Sequence, residues 1–141
     1  MATYNKYDTA IESLCNKLLD AFGATDSWKA VIHTDAPVTT DSVLTDVTEI
    51  GNSNGYTSGG IDITFNSTRT TNVITATAVD VVWTAVTGNL GTSTTGRYVS
   101  VYDFTSAAKN LWCNWDYGAT FTVAVGETFT LDFGATFWTM S

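Results

Sequence analysis

The sequence predicts an all-β protein: a β-sandwich of about eight strands with jelly-roll-like topology, preceded by one N-terminal α-helix. Three patterns lead to this prediction. After Trp28, apolar and polar residues alternate with a period of two, as in half-buried strands. Segments rich in Gly, Ser, Thr and Asn separate these runs at short, regular intervals. Only the N-terminal region carries the three- and four-residue spacing of an amphipathic helix.

The helix is predicted over residues 9–22. Thr9 and Glu12 match a capping box at its start, and Gly23 suits the left-handed residue beyond its end. Its apolar stripe must pack either on the sheet of its own chain or on a neighbouring subunit, and both remain open. We therefore divide the chain into a helical arm, residues 1–27, and a β-sandwich domain, residues 28–141. The stripe consists of Tyr7, Ile11, Leu14, Cys15, Leu18 and Phe22.

The strands are predicted from alternation and from the turn residues between them. Pro37 cannot continue a central strand, and residues 39–60 form a long polar loop typical of a functional or contact segment. The chain ends in two alternating runs, 119–125 and 127–133, which predict a hairpin that turns at Gly126. The earlier predicted strands are Trp28–Thr34, Ile61–Asn66, Asn72–Ala78, Val79–Ala85, Arg97–Asp103 and Asn110–Asp116.

The charge balance argues against several classes of partner. The net charge is -8, from 14 acidic and 6 basic residues, and the basic residues are scattered. Nucleic acids and anionic membranes attract clustered cations, so neither is an expected partner. We find no segment resembling a signal peptide or a membrane span, and we expect a protein made and kept in solution.

Few residues carry the patterns of catalysis or metal binding. His33 is the only histidine, and no nucleophile motif accompanies it, so we expect a structural or surface role. Cys15 and Cys113 are predicted to be reduced and buried. A calcium loop around Asn52–Gly55 fails because Ile61 would take its twelfth position. A cation between Asp35, Asp41, Asp46 and Glu49 stays open as an alternative, but we assign no catalytic, cofactor or metal residue.

An aromatic group near the C-terminus permits two interpretations. Trp112, Trp115 and Tyr117, with Asp116, could form a sugar-binding platform, since aromatic rings stack on pyranose faces. However, strict alternation puts Trp112 and Trp115 on opposite faces of the strand unless the strand is bulged. We therefore favour a role in the core or in a subunit contact.

Several segments together resemble a family of small virion structural proteins of tailed bacteriophages, usually assigned to head decoration. The resemblance lies in their succession along most of the chain. The segments are Tyr4–Tyr7, Thr34–Val38, Val43–Ile50, Asn54–Gly60, Trp83–Ala85, Arg97–Tyr98, Val101–Tyr102, Trp115–Gly118 and Gly126–Phe133.

The resemblance implies a non-enzymatic protein on the outer surface of the phage head, made in the host cytoplasm. Such a protein binds the major capsid protein, stabilises the shell, and is typically a homo-oligomer, with a trimer favoured. It implies no catalytic residue and no cofactor. The candidate subunit or capsid contacts are Asn54, Gly55, Tyr56, Trp115, Asp116 and Tyr117.

Two other functions stay open at the level of sequence. The first is a tail-associated module that binds a glycan or receptor through Trp115 and Tyr117 or through the 52–60 loop. The second is a small glycan hydrolase with paired carboxylates, whose separation the sequence does not define.

Overall fold

The structure, a computed structural model, describes residues 2–10, 26–71, 73–92 and 95–140. These residues form mainly antiparallel β-structure, which confirms the predicted all-β class. Residues 8–10 are helical, and the rest of the predicted helix, 11–22, lies outside the described residues. The strands are β1 (Thr3–Lys6), β2 (Trp28–His33), β3 (Ile61–Ile63), β4 (Phe65–Thr70), β5 (Val73–Ala78), β6 (Val81–Thr84), β7 (Gly96–Asp103), β8 (Leu111–Phe121), β9 (Thr128–Leu131) and β10 (Trp138–Met140).

The largest sheet has five strands in the order β1-β8-β7-β2-β3. Its neighbouring strands are all antiparallel. The inner strands β2 and β7 are buried at nearly every position, because both faces of the sheet are covered. The segment between β2 and β3 packs over one face of this sheet, and it includes a 3-10 turn at Leu44–Asp46. The Ile50 N–H attaches the segment to β2 by donating to the Ile32 carbonyl at 3.1 Å.

The C-terminal hairpin predicted from sequence is wrong. β9 pairs with β6, with Trp83 opposite Phe129, and not with the run before it. Residues 119–121 instead extend β8, where Phe121 pairs with Gly96. The turn itself is present: Gly126 has a φ of 85°, and the Glu127 N–H donates to the Ala124 carbonyl at 2.9 Å. Alternation defines which face of a strand is buried, but it does not define the strand's partner.

Strand β8 contains an irregularity that changes the position of Trp112. Val101 pairs with Cys113 while Tyr102 pairs with Leu111, so Trp112 is an extra residue in β8. As a result, the Trp112 and Trp115 rings both pack on Phe137, with centroid distances of 5.9 and 6.0 Å. The expectation that a regular strand separates the two tryptophans is therefore wrong.

Two short strands lacked a sequence signal. β1 lies inside the predicted arm of residues 1–27, yet it pairs with β8 at the edge of the large sheet. β10 pairs with β5, and these two strands with β4 form a three-stranded sheet. The division into an arm and a domain at residue 27 stays a prediction.

One hydrophobic core connects the sheets and the loop cover. It is rich in large aromatic side chains, and Cys113 lies in it as a free, fully buried thiol, as predicted for this cysteine. Cys15 lies outside the described residues. The buried aromatic members are Tyr7, Trp28, Tyr56, Trp83, Tyr102, Trp112, Trp115 and Phe133.

Candidate functional site

The predicted contact residues lie on two elements. Asn54, Gly55 and Tyr56 belong to the loop before β3, whereas Trp115, Asp116 and Tyr117 belong to β8. Tyr56 is 1% exposed and Trp115 is 7% exposed, so both side chains lie in the interior. Asn54, Asp116 and Tyr117 are half-buried and Gly55 is exposed, so these four reach the surface of the subunit.

The Asn54 end of the loop is fixed to the segment after β6. The Asn54 amide donates to the Asn89 carbonyl at 2.9 Å, and its oxygen accepts from the Thr87 hydroxyl at 2.8 Å. A Cβ at Gly55 would lie 2.0 Å from the Thr84 carbonyl oxygen. Only glycine permits so close an approach, which explains the Asn-Gly pair physically.

Tyr56 anchors the rest of the loop. Its hydroxyl donates to Glu49 Oε2 at 2.8 Å and accepts from the Ile32 N–H at 3.2 Å. The same carboxylate oxygen accepts from the Gly59 N–H at 2.9 Å. Burial raises the pKa of Tyr56, so the phenol keeps the proton that it donates. Tyr56 therefore positions the loop and does not itself form a surface contact.

Trp115 and Asp116 play different structural roles. The Trp115 ring packs against Tyr4 at 5.2 Å and Phe133 at 5.5 Å between centroids. Asp116 forms a bidentate pair with Arg97, at 2.9 Å to Nε and 3.0 Å to Nη2. The Arg97 hydrogen bonds lower the pKa of Asp116, so this carboxylate stays charged at the surface.

Tyr117 lies between two clefts. The first, of about 350 Å³, contains the Tyr117, Phe121 and Phe129 rings together with the exposed Glu127. Phe121 and Phe129 stack at 4.3 Å, and Tyr117 meets both rings edge-on at 5.5 and 5.1 Å. The second cleft, of about 450 Å³, lies toward Trp115, Asp132 and Phe133.

The first cleft was not predicted, because the sequence assigned Phe121 and Phe129 to the buried faces of a hairpin. Both side chains are half-buried. The extension of β8 to Phe121 and the pairing of β9 with β6 bring them together. No local pattern signals a long-range pairing of this kind.

Strand β4, the outer strand of the β4–β5 hairpin, has the largest share of exposed residues of any strand among the described residues. β4 is the outer strand of its sheet, and every residue from Asn66 to Thr70 is exposed. Both faces of this part of β4 are therefore uncovered. Within residues 65–78, Arg69 is the only charged side chain.

The four acidic residues considered for a cation instead bind loop backbone. Asp35 accepts from the Thr48 N–H at 2.8 Å, and Asp41 accepts from the Val38 N–H at 2.8 Å. Asp46 accepts from the Ser42 and Val43 N–H groups at 2.9 and 3.1 Å. In the part of the chain that the structure describes, no three His, Cys, Asp or Glu side chains converge as metal ligands.

His33 is buried in a polar chain and is not at the surface. Its Nε2 lies 2.8 Å from the Ser100 hydroxyl, which lies 2.8 Å from the Tyr7 hydroxyl. Its Nδ1 lies 3.1 Å from the Asp35 carbonyl oxygen and 3.4 Å from Asp35 Oδ1. Ser100, His33 and Asp35 are linked in the order of a catalytic Ser-His-Asp triad. However, Ser100 is 0% exposed and is already hydrogen-bonded to Tyr7, so no substrate carbonyl can reach it here.

Comparison with known proteins identifies no relative: no protein-family model, curated protein or solved structure matches the chain. Among the described residues, no helix is long and apolar enough to cross a membrane.

Proposed function

We propose that this protein is a decoration protein that binds the outside of a bacteriophage capsid and stabilises the shell. The observation that carries the proposal is the exposed β4–β5 hairpin, whose outer strand is uncovered on both faces. A strand of this kind gains from packing on another protein surface. The proposal also rests on the succession of sequence segments that resemble phage head proteins.

Charge supports the hairpin as the contact element. The chain carries a net charge of -8, but the hairpin carries one charge only, that of Arg69. Close approach of another acidic molecule, such as a second copy of this chain, is least costly at a surface that lacks like charges. In our proposal the hairpin contacts the major capsid protein or a second copy of the chain, in a homo-oligomer for which we favour a trimer.

The finer architecture belongs to the same proposal. We propose that the antiparallel sheets pack as a jelly-roll-like β-sandwich around the aromatic core. The half-buried or exposed residues Asn54, Gly55, Asp116 and Tyr117 remain candidate contacts. Tyr56 and Trp115 contribute by holding these elements in place.

The test is binding to preformed capsids that lack the protein. We expect the purified protein to co-sediment with the capsids and to raise the temperature at which they release DNA. Absence of both binding and stabilisation would contradict the proposal.

Variants on exposed threonines locate the contact. Thr68→Glu places a negative charge on β4, and we expect it to weaken capsid binding at least about tenfold. Thr40→Glu, at an exposed position of the loop after β2 that is not among the candidate contacts, is the control and should bind like the unsubstituted protein. Equal binding by the two variants would exclude the hairpin as the contact.

A second candidate function is glycan binding, as in a tail-associated receptor-binding module. The first cleft favours it, because three half-buried aromatic rings lie beside a rim of exposed side chains that can bond to hydroxyl groups. The rim consists of Thr120, Thr122, Glu127 and Thr128.

Glycan-array binding tests this candidate. Tyr117→Ala should reduce binding at least about tenfold, the equivalent of one lost stacking contact. Phe104→Ala removes an aromatic ring that is 42% exposed in the loop after β7 and serves as the control. An array without signal, or equal binding by both variants, would exclude the cleft as a glycan site.

A further inference from the structure

The hydrogens in the buried polar chain have a defined direction. His33 Nδ1 lies 3.1 Å from the Asp35 carbonyl oxygen, which can only accept, so in neutral His33 this nitrogen carries the proton. Nε2 is then an acceptor and takes the Ser100 hydrogen over 2.8 Å. The Ser100 oxygen in turn accepts from the Tyr7 hydroxyl over 2.8 Å. Each hydroxyl in the chain therefore has a donor role and a partner.

The hydrogen-bonded series ends at Tyr7, the residue that follows β1. Tyr7 is 3% exposed, and its N–H donates to the Trp112 carbonyl at 3.0 Å. By contrast, β1 is a four-residue edge strand in which Thr3, Asn5 and Lys6 are exposed. Short, exposed edge strands belong to the least stable part of a fold. The Tyr7 side chain, together with the Tyr4 ring on Trp115, thus attaches this edge of the sheet to the interior.

Protonation of His33 turns Nε2 from a hydrogen-bond acceptor into a donor. The imidazolium donates from both nitrogens, so the Ser100 oxygen must accept from Nε2 and turn its hydrogen toward Tyr7. The Tyr7 hydroxyl then loses Ser100 as its acceptor, and its only other side-chain partner among the described residues is Asn114. A buried donor that is incompletely satisfied is costly. We propose that the neutral His33–Ser100–Tyr7 chain is an acid-sensitive latch that holds β1 on the sheet, and that protonation of His33 releases β1.

The charged and titratable groups around His33 set the pH range. Asp35 follows β2, and Glu49 pairs with His33 through the backbone. Tyr98 of β7 stacks on the imidazole with 5.5 Å between ring centroids, and the Arg97 guanidinium lies 4.9 Å from the Tyr98 ring centroid. Asp41, in the loop before β3, acts on His33 through its negative charge. Burial lowers the pKa of His33, and the opposing effects of Asp35 and Asp41 are smaller. Burial raises the pKa of Tyr7, so this phenol stays neutral.

The direction of the pH effect follows from linkage. In this proposal, release of β1 admits water to His33 and moves its pKa from the lowered value of the buried state toward the ordinary value of about 6.5. The latch is therefore fully closed above about pH 6.5 and loses stability as the pH falls below it, by up to about tenfold in the opening equilibrium per pH unit. The loss ends when the pKa of the buried histidine is reached.

Hydrogen exchange of the full chain, measured by mass spectrometry at pH 7.5 and 5.0 and corrected for intrinsic rates, tests the latch. We expect amides of residues 3–7 to lose protection at pH 5.0, by about tenfold or more, while β7 amides keep theirs. Equal protection of residues 3–7 at both pH values would overturn the proposal. Simultaneous loss of protection in β1 and β7 would also overturn it, because that result indicates global unfolding.

Two variants separate the latch from general acid sensitivity. Tyr7→Phe and Ser100→Ala both interrupt the chain, and in each we expect residues 3–7 to exchange rapidly at both pH values. Tyr4→Phe removes a hydroxyl from β1 itself but leaves the His33 chain intact, so it should keep the pH dependence of the unsubstituted protein. Retention of that dependence by Tyr7→Phe would overturn the proposal, and Ser100→Ala provides the same comparison if Tyr7→Phe fails to fold.

Discussion

Gly60, in the loop before β3, and Gly126, in the turn before β9, are required for different physical reasons. Gly60 has a φ of 73°, and a Cβ there would lie 1.8 Å from the Ala30 carbonyl oxygen of β2. Gly126 has a φ of 85°, but a Cβ there would meet nothing within 4 Å. The two positions share the left-handed backbone and differ in the space around it.

Alanine at these two glycines should therefore have different costs. We expect Gly126→Ala to lower the free energy of unfolding by about 1 kcal/mol, from backbone strain alone. Gly60→Ala should cost an additional 1–3 kcal/mol or so, because the loop must also move away from β2. Urea unfolding of both variants measures the difference. Equal losses would show that the close approach to Ala30 does not occur.

Residue-scale roles were only partly accessible from the sequence. His33 was predicted to be structural or at the surface, and it is buried because β2 lies in the interior of a covered sheet. Tyr56 was a candidate contact because its loop belongs to the segments that resemble phage head proteins. Its burial depends on Glu49 and Ile32, whose proximity is a property of the fold and not of the local sequence.

At the scale of elements, the loop before β3 should loosen when its anchor is removed. Tyr56→Phe deletes the hydroxyl that binds Glu49 and Ile32, and we expect a loss of about 1–3 kcal/mol in the free energy of unfolding. Amides of residues 54–60 should also exchange faster. Tyr117→Phe, at a half-buried ring on β8, is the control and should change stability by less than about 0.5 kcal/mol. Similar losses in both variants would contradict the anchoring role.

The pairing of β9 with β6 can be tested by cross-linking. Val82 and Thr130 lie opposite each other and both are exposed, so a Val82→Cys/Thr130→Cys pair should oxidise to a disulfide. Thr122→Cys/Thr130→Cys tests the alternative hairpin and should stay reduced. Peptide mapping of each oxidised protein, in a Cys15→Ser background, identifies the bridge. A bridge only in the second protein would restore the hairpin.

Element prediction succeeded where the sequence carries a clear alternation or apolar run bounded by turn residues. β2, β5, β6 and β7 lie within one or two residues of the predicted bounds, since their alternation or apolar runs are local signals. The short polar strand β1 has no such signal and is stabilised by its pairing with β8. The bulge at Trp112 and the partner of β9 depend on contacts between distant segments, which local patterns do not encode.

At the scale of the whole molecule, two features of the surface bear on the proposed function: the net acidic charge and the nearly uncharged β4–β5 hairpin. In our proposal the net charge of -8 opposes non-specific association between copies, while the nearly uncharged β4–β5 hairpin permits a specific contact. The proposed decoration function places the protein on the phage head, whereas the alternative glycan-binding function places it on the tail. The cleft beside Tyr117 is compatible with either location.

Electron microscopy of the intact particle tests the central proposal most directly. We expect density that fits the chain at regular positions on the outer surface of the head, with the β4–β5 hairpin against the major capsid protein or against a neighbouring copy. Density confined to the tail, or no density on the head, would contradict a decoration function and would favour the glycan-binding alternative.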